Sequence, residues 1–257
     1  MDTKTDNQAP TTSAPTTSAP TTSASTPAPA PATSTPTLVT PLSTLAAESG
    51  PLTTSAAQEA REDRRPTPLR VAVIIGSNRE GRFGPVVAEW LLAHVRDHGD
   101  LESTVIDLAD TELPTSLTST PSPAVAAELA KTSPALAAAD AFLILTPEYN
   151  HSFPASLKSL IDWHFVEWQA KPVAFVSYGG ISGGLRAVEQ LRPVFAEMHA
   201  VTVRDTVSFH NAHALFDEHG RHRQPEAPDT AAEAMLDQLT WWGYALRDAK
   251  ETRPYGG

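Results

Sequence analysis

Ala141-Phe142-Leu143-Ile144-Leu145-Thr146, running into Pro147-Glu148-Tyr149-Asn150-His151-Ser152-Phe153-Pro154, is the stretch that decides the fold. The apolar residues do not alternate with polar ones, so the run reads as a strand covered on both faces, the kind found in parallel sheets. Ligands of open α/β sheets sit in the crevice beyond the carboxyl ends of the strands. A loop that holds an aromatic ring, an amide and a hydroxyl between two prolines suits a flat, polar-edged ligand.

Working outward, short apolar runs alternate with helical patterns. Leu69–Ile75 reads as a strand, Gly84–Val95 as a helix, and Ser103–Leu108 as a second strand with partial alternation. A loop rich in Pro and Thr spans Asp110–Pro123, and a helix over Ala124–Ala138 is expected to break at Ser133-Pro134. The strand at 141–146 and its loop lead to a helix at Ala155–Trp168. Lys171-Pro172 opens a strand at Val173–Ser177, and a glycine-rich loop precedes a helix at Leu185–His199. Val201–Ser208 is a fifth strand, followed by a histidine-rich loop and a helix near Thr230–Asp248. This alternation predicts an α/β fold: a flavodoxin-like, doubly wound, five-stranded parallel sheet of order 2-1-3-4-5 with helices on both faces.

Residues 1–66 are nearly all Thr, Ser, Ala and Pro, with Thr-Thr-Ser-Ala-Pro at 11–15 repeated at 16–20. Such a segment cannot bury enough apolar surface to offset chain entropy, and it reads as a disordered tail with weak helical tendency around Ser43–Ala47 and Ser55–Arg61. Lys4 is the only base near the start and no apolar h-region follows, which argues against a secretory signal. Residues 67–257 are long enough for one domain with a substantial core. The chain's formal charge is −11, of which residues 67–257 carry −9, so nucleic acid and anionic membranes are poor partners. The absence of cysteine excludes thiol catalysis, disulfides and cysteine-ligated metals, and fits a cytoplasmic setting. No apolar stretch approaches the roughly 18 residues of a membrane span.

Three strand-terminal loops should gather at one edge of the sheet. Gly76-Ser77-Asn78-Arg79-Glu80-Gly81-Arg82-Phe83-Gly84 combines a helix N-terminus, a hydroxyl and two guanidiniums, a set that suits a phosphate monoester. It has the glycine spacing of a Walker A loop, but Arg82-Phe83 stands where Lys-Ser/Thr is required, which disfavours nucleotide hydrolysis. Nor is it a Gly-x-Gly-x-x-Gly dinucleotide fingerprint. The loop Ser177-Tyr178-Gly179-Gly180-Ile181-Ser182-Gly183-Gly184 holds four glycines in six positions, which permits close approach of backbone to a planar ligand. Taken singly, the first loop could be a turn with solvated arginines and the last a flexible surface turn. Together with the Pro-Glu-Tyr-Asn loop they favour a binding site.

Gly-Ser-Asn-Arg-x-Gly-Arg (76–82), Pro-Glu-Tyr-Asn-His-Ser-x-Pro-Ala-x-Leu-Lys-x-x-Ile-Asp (147–162) and Ser-Tyr-Gly-Gly-x-Ser-Gly-Gly-x-Arg-Ala (177–187) resemble the NADPH-dependent FMN reductases, which include quinone, azo-dye and chromate reductases. The likeness covers residues 69–210; Asn78 stands where the family commonly has a small hydroxyl residue. The resemblance implies non-covalent FMN, with NADPH or NADH as cosubstrate. Gly76, Ser77, Arg79, Arg82, Phe83 and Gly84 would hold the phosphate. Pro147, Glu148, Tyr149 and Asn150 would lie along the flavin ring, and Ser177, Tyr178, Gly179 and Gly180 would border its pyrimidine side. The implied chemistry is hydride transfer from nicotinamide to flavin and on to a small-molecule acceptor in a ping-pong sequence. The cofactor carries that reactivity, so no catalytic side chain and no metal is expected. A homodimer or tetramer is implied as well, with Trp163 and His164 as interface or acceptor-pocket candidates.

Other residues have simpler readings. Trp163, His164, Phe165 and Trp168 also fit a core, and Trp241, Trp242 and Tyr244 fit packing against the sheet. His210, His213, His219 and His222 lack tight ligand spacing on a helix and read as a solvated loop rather than a metal site. Arg186 could meet the phosphate or lie on a helix surface. A flavodoxin-type electron carrier and a flavin-binding regulatory protein without turnover remain the alternatives.

Overall fold

The computed structural model describes residues 66–256; the expectations for residues 1–65 fall outside them. Five parallel strands, β1 (Leu69–Ile75), β2 (Leu101–Asp107), β3 (Ala141–Pro147), β4 (Pro172–Gly179) and β5 (Val201–His210), are hydrogen-bonded in the order β2-β1-β3-β4-β5. Six helices accompany them: α1 (Gly84–His98), α2 (Pro123–Ala138), α3 (Ala155–Trp163), α4 (Leu185–Glu197), the single-turn α5 (Ala212–Leu215) and α6 (Glu226–Thr252). This is the flavodoxin-like architecture expected from the alternation of patterns.

The unbroken apolar runs of the central strands have a direct cause. Alternate side chains serve two cores, because side chains of a strand point to opposite faces. In β3, Ala141, Leu143 and Leu145 pack with α1 and α6, whereas Phe142 and Ile144 pack with α2, α3 and α4. In β1 and β4 the same division sends Val71, Val73, Ala174 and Val176 to one core and Ala72, Ile74, Val173 and Phe175 to the other. The edge strand β2 buries only Leu101 and Ile106, which explains its partial alternation.

Several boundaries and placements differ from the sequence reading. α2 runs through Pro134 without a break, and α4 likewise contains Pro193; both prolines are exposed, so the carbonyls that lose an amide partner face water. α3 stops at Trp163 rather than Trp168. His164 turns to extended backbone (φ −128°, ψ 137°), and its Nδ1–H donates to the Leu160 carbonyl at 2.8 Å. The Trp168 indole donates to the Ile161 carbonyl at 3.3 Å, so two side chains take up carbonyls that a further turn would have used. Trp241 and Trp242 do not pack on the sheet. The buried stripe of α6 is Ala232, Met235, Leu236, Leu239, Thr240 and Gly243, and Gly243 lets the helix close on Leu69; the two indoles stand on the other side, 64% and 36% exposed. α1 and α6 extend several residues beyond their expected ends.

β5 carries an irregularity between its pairings with Val173 and Phe175. The backbone groups it frees are taken by flanking helices. Arg192 of α4 donates to the carbonyls of Val203 (2.7 Å) and Arg204 (3.0 Å), while Gln238 Oε1 of α6 accepts the amides of Arg204 (2.9 Å) and Asp205 (3.2 Å).

Candidate active site

The carboxyl ends of β1, β3, β4 and β5 open onto a cleft of about 540 Å³. Arg79, Arg82 and Phe83 line it from the first loop, Pro147, Glu148 and Tyr149 from the second, and Tyr178, Gly179 and Gly180 from the third. The remaining expected residues stand behind this surface. Gly76, Ser77, Gly84 and Ser177 are buried, and Asn150 is exposed at a loop tip.

The first loop is organised by Ser77 and Arg82. Gly76 prolongs β1 by donating to the Leu145 carbonyl at 2.8 Å, and the Ser77 hydroxyl lies 2.5 Å from the Tyr149 phenol, which ties the first loop to the second. The Arg82 guanidinium donates to the Ser77 carbonyl (2.8 Å) and to both carboxylate oxygens of Asp107 at the end of β2, one of them at 2.6 Å. That bonding raises the Arg82 pKa further above its ordinary value. α1 begins with Phe83 as its N-cap, with no side-chain cap and no acidic residue in the first turn. Pro85 has no amide hydrogen and Val86 donates to the Phe83 carbonyl at 3.2 Å, so the first turn presents the Gly84 amide and the positive end of the helix dipole.

The second loop is a two-residue hairpin. Tyr149 and Ser152 exchange backbone hydrogen bonds of 2.8 and 3.0 Å around Asn150 (φ 49°) and His151 (φ 73°), and positive φ at both central residues matches a type I′ turn. Its orientation is fixed from α4. Gln190 donates to the His151 carbonyl at 2.7 Å and accepts from the Ser152 hydroxyl at 2.5 Å. The Glu148 side chain, 8% exposed, accepts from the Arg186 guanidinium (3.0 Å) and the Arg186 amide (3.3 Å), supplying the start of α4 with the acceptor its own N-cap, Gly184, lacks. Arg186 is thus engaged with Glu148.

In the third loop the glycines divide by role. Gly183 and Gly184 face inward, and the Ser177 and Ser208 hydroxyls both donate to the Gly183 carbonyl at 2.8 Å. Gly179 and Gly180 face the cleft, and nothing lies within 4 Å of where a Cβ on Gly180 would stand. The Tyr178 phenol reaches under α1 to Gly84; burial first, then the neighbouring Tyr149, push its pKa well above the ordinary range and keep it protonated.

One wall was not anticipated. Asn211, Ala212, His213 and Ala214, after β5, line the cleft, and the His213 ring lies 4.4 Å from that of Phe83. The topology itself was the available signal, since the loop after β5 must reach the same sheet edge as the others. The other histidines of that segment are scattered. His210 Nδ1 is 2.7 Å from the Ile181 carbonyl, His222 packs on Phe209 and Phe216, and His219 is paired with Glu218. Of the two interface or acceptor-pocket candidates, His164 is 3% exposed and bonded to Leu160 and Ser133, which removes it from any surface. Trp163 is half-buried, with its indole donating to the Pro114 carbonyl at 2.7 Å.

Comparison with known proteins agrees with this arrangement. The chain is 33% identical over 122 residues to an NAD(P)H-dependent FMN reductase of Schizosaccharomyces pombe, an alignment spanning 45% of this chain and 60% of the relative. It is 30% identical over 185 residues to a rice (Oryza sativa subsp. japonica) protein named "probable NADPH:quinone oxidoreductase 2", spanning 66% and 87% respectively. Among solved structures, the flavoenzyme NAD(P)H:(acceptor) oxidoreductase FerB of Paracoccus denitrificans shares the fold at a TM-score of 0.55 and 20% identity, with 69% of this chain and 98% of that one covered. The family model described as NADPH-dependent FMN reductase matches residues 69–214, which hold all three loops and the His213 wall. By that match, the chain belongs to the NADPH-dependent FMN reductase family.

Proposed function

We propose that the protein is an NAD(P)H-dependent flavoenzyme that binds FMN without a covalent link and passes electrons to a small acceptor, such as free flavin, a quinone, an azo compound or a metal oxyanion. The observation that carries this reading is the convergence of the loops after β1, β3 and β4 on one cleft. The residues suit the cofactor. The Gly84 amide at the uncapped start of α1 and Arg79 offer donors for a phosphate, and the open space above Gly180 between Tyr149 and the glycine backbone has room for a planar ring. Gly76, Ser77, Arg79, Arg82, Phe83 and Gly84 would form the phosphate end. Pro147, Glu148, Tyr149, Asn150, Ser177, Tyr178, Gly179 and Gly180 would form the ring end.

Bound FMN would supply the two-electron chemistry, accepting hydride from the nicotinamide and delivering it to the acceptor. The chain's own part is to bind and orient. Burial keeps Tyr178 neutral, and Glu148, the one carboxylate among the described lining residues, is offset by Arg186, so the cleft does not repel an anionic cofactor. One cleft would serve both substrates in turn, which supports a ping-pong order. We further propose that the domain works as a homodimer or tetramer, since Ile181 (89% exposed) and Leu185 (43%) leave apolar surface beside the cleft. Catalysis is assigned to residues 67–257 in the cytoplasm; among the described residues no helix is long and apolar enough to cross a membrane.

The test is a titration of the purified full chain with FMN, followed by steady-state NADPH and NADH oxidation with a quinone and with free flavin. Flavin binding with turnover supports the proposal. Binding with no nicotinamide oxidation makes the protein an electron carrier or regulator instead, and failure to bind flavin sinks the cofactor assignment altogether.

A further inference from the structure

The cations around the cleft are unequally committed. Arg82 directs its guanidinium at Asp107 and the Ser77 carbonyl, and the pair contributes almost no net charge. Arg79 makes no ion pair among the described residues. His213 lines the same cleft, exposed and without a hydrogen-bond partner among the described residues. Its ring leans on Phe83 at 4.4 Å with an interplanar angle of 52°, and Phe83 is the N-cap residue of α1. That contact places the imidazole beside the start of α1, and Arg79 lines the same cleft from the loop that precedes this helix. In every protonation state an imidazole retains at least one N–H to donate.

We propose that His213 is a ligand of the cofactor's phosphate, sharing it with Arg79 and the Gly84 amide at the start of α1, while Arg82 stands behind as a post that shapes the loop. This rests on the FMN reading given above. A phosphate monoester carries close to two negative charges at neutral pH, and a guanidinium already neutralised by Asp107 answers little of that. Arg79 is the uncommitted arginine among the described lining residues, and His213 is the lining imidazole that touches the start of α1; Glu148 and Arg186 are engaged with each other. His213 belongs to none of the three motif loops, and its place is set only by the turn that follows β5.

Riboflavin, which lacks the phosphate, separates this role from ring binding. Flavin-stripped full-length protein is titrated with FMN and with riboflavin, following flavin fluorescence, for wild type, His213→Gln and His213→Phe. His213→Phe keeps an aromatic ring against Phe83 but has no N–H, so packing and donation are read apart. The expected result is a rise of about tenfold in the FMN Kd for His213→Phe, the size of a charge-assisted hydrogen bond, and a smaller rise for His213→Gln, which keeps an N–H donor, with the riboflavin Kd unchanged in both. The inference is overturned if FMN affinity is unchanged in His213→Phe, or if both flavins weaken equally. A wild-type chain that binds neither flavin overturns the functional reading itself. His213 lies exposed on a four-residue helix, so both variants are expected to keep the wild-type melting temperature, and His213→Phe serves alone if His213→Gln does not fold.

Discussion

Three glycines of the site loops differ in what holds them, and alanine at each should separate backbone strain from steric conflict. Gly180 has ordinary φ and open space, so Gly180→Ala should change stability by less than about 0.5 kcal/mol. Gly81 has φ 65° with nothing within 4 Å of a Cβ, so alanine there meets only the left-handed conformation, at a cost of roughly 1–2 kcal/mol. Gly184 has φ 86°, and a Cβ on it would lie 2.7 Å from Ser177 Cβ and 3.0 Å from the Tyr178 amide nitrogen, neither of which is the end of a flexible side chain. Strain and overpacking then add, to about 2–5 kcal/mol. Urea unfolding monitored by tryptophan fluorescence gives the three values, with equal slopes required for comparison. The order Gly184 > Gly81 > Gly180 is expected. Equal losses at all three, or a loss at Gly180 as large as at Gly184, would refute the division of the glycine loop into an inward-packed half and a cleft-facing half. Because Gly180 lines the cleft, its alanine variant should instead weaken flavin binding while the fold is intact.

Two further outcomes follow from groups outside the glycine loops. The Lys171 ammonium is 7% exposed and donates to the Leu136 and Ala137 carbonyls at the end of α2; burial pushes its pKa down to about 8. Between about pH 8 and the ordinary value near 10.4 the unfolded chain binds more protons, so wild-type stability relative to Lys171→Met should rise with pH by up to about 3 kcal/mol and fall away again as pH drops through 8; a flat difference across that window contradicts the burial argument. For the partly buried Arg82–Asp107 pair, a double-mutant cycle with Arg82→Ala and Asp107→Ala should return about 1–2 kcal/mol of coupling in thermal or urea unfolding, and a value near zero would show that the pair does not hold the loop.

Much of the fold was legible because the central stretches of β1, β3 and β4 are buried on both faces, and such a stretch is apolar at successive positions, whatever its neighbours. The helix ends were less so. Nothing local in Trp163–Trp168 says that His164 and Trp168 will bend back to the last carbonyls of α3, since that depends on Ser133 and the sheet lying beneath. Trp241 and Trp242 misled because large aromatics suggest a core, while the face of α6 that meets the sheet is chosen by small Gly243 and by Ala232. At the site, motif order gave the three loops but not their internal loyalties. Arg82 looked like a free cation until Asp107, twenty-five residues away and unremarkable in sequence, was brought against it by β-strand register, Ile75 pairing with Asp107. Gln190 and His213 escaped notice for the same reason: each acts through a neighbour supplied by the sheet topology.

The outer strand of a sheet is where a second molecule can add itself, strand upon strand, and begin a fibre. Here the middle of that strand is already occupied from above and below. Arg192 and Gln238 reach in from helices on opposite sides and leave a broken row instead of a continuous ladder. The same arrangement that absorbs the misfit of β5 therefore makes this margin a poor template for strand addition.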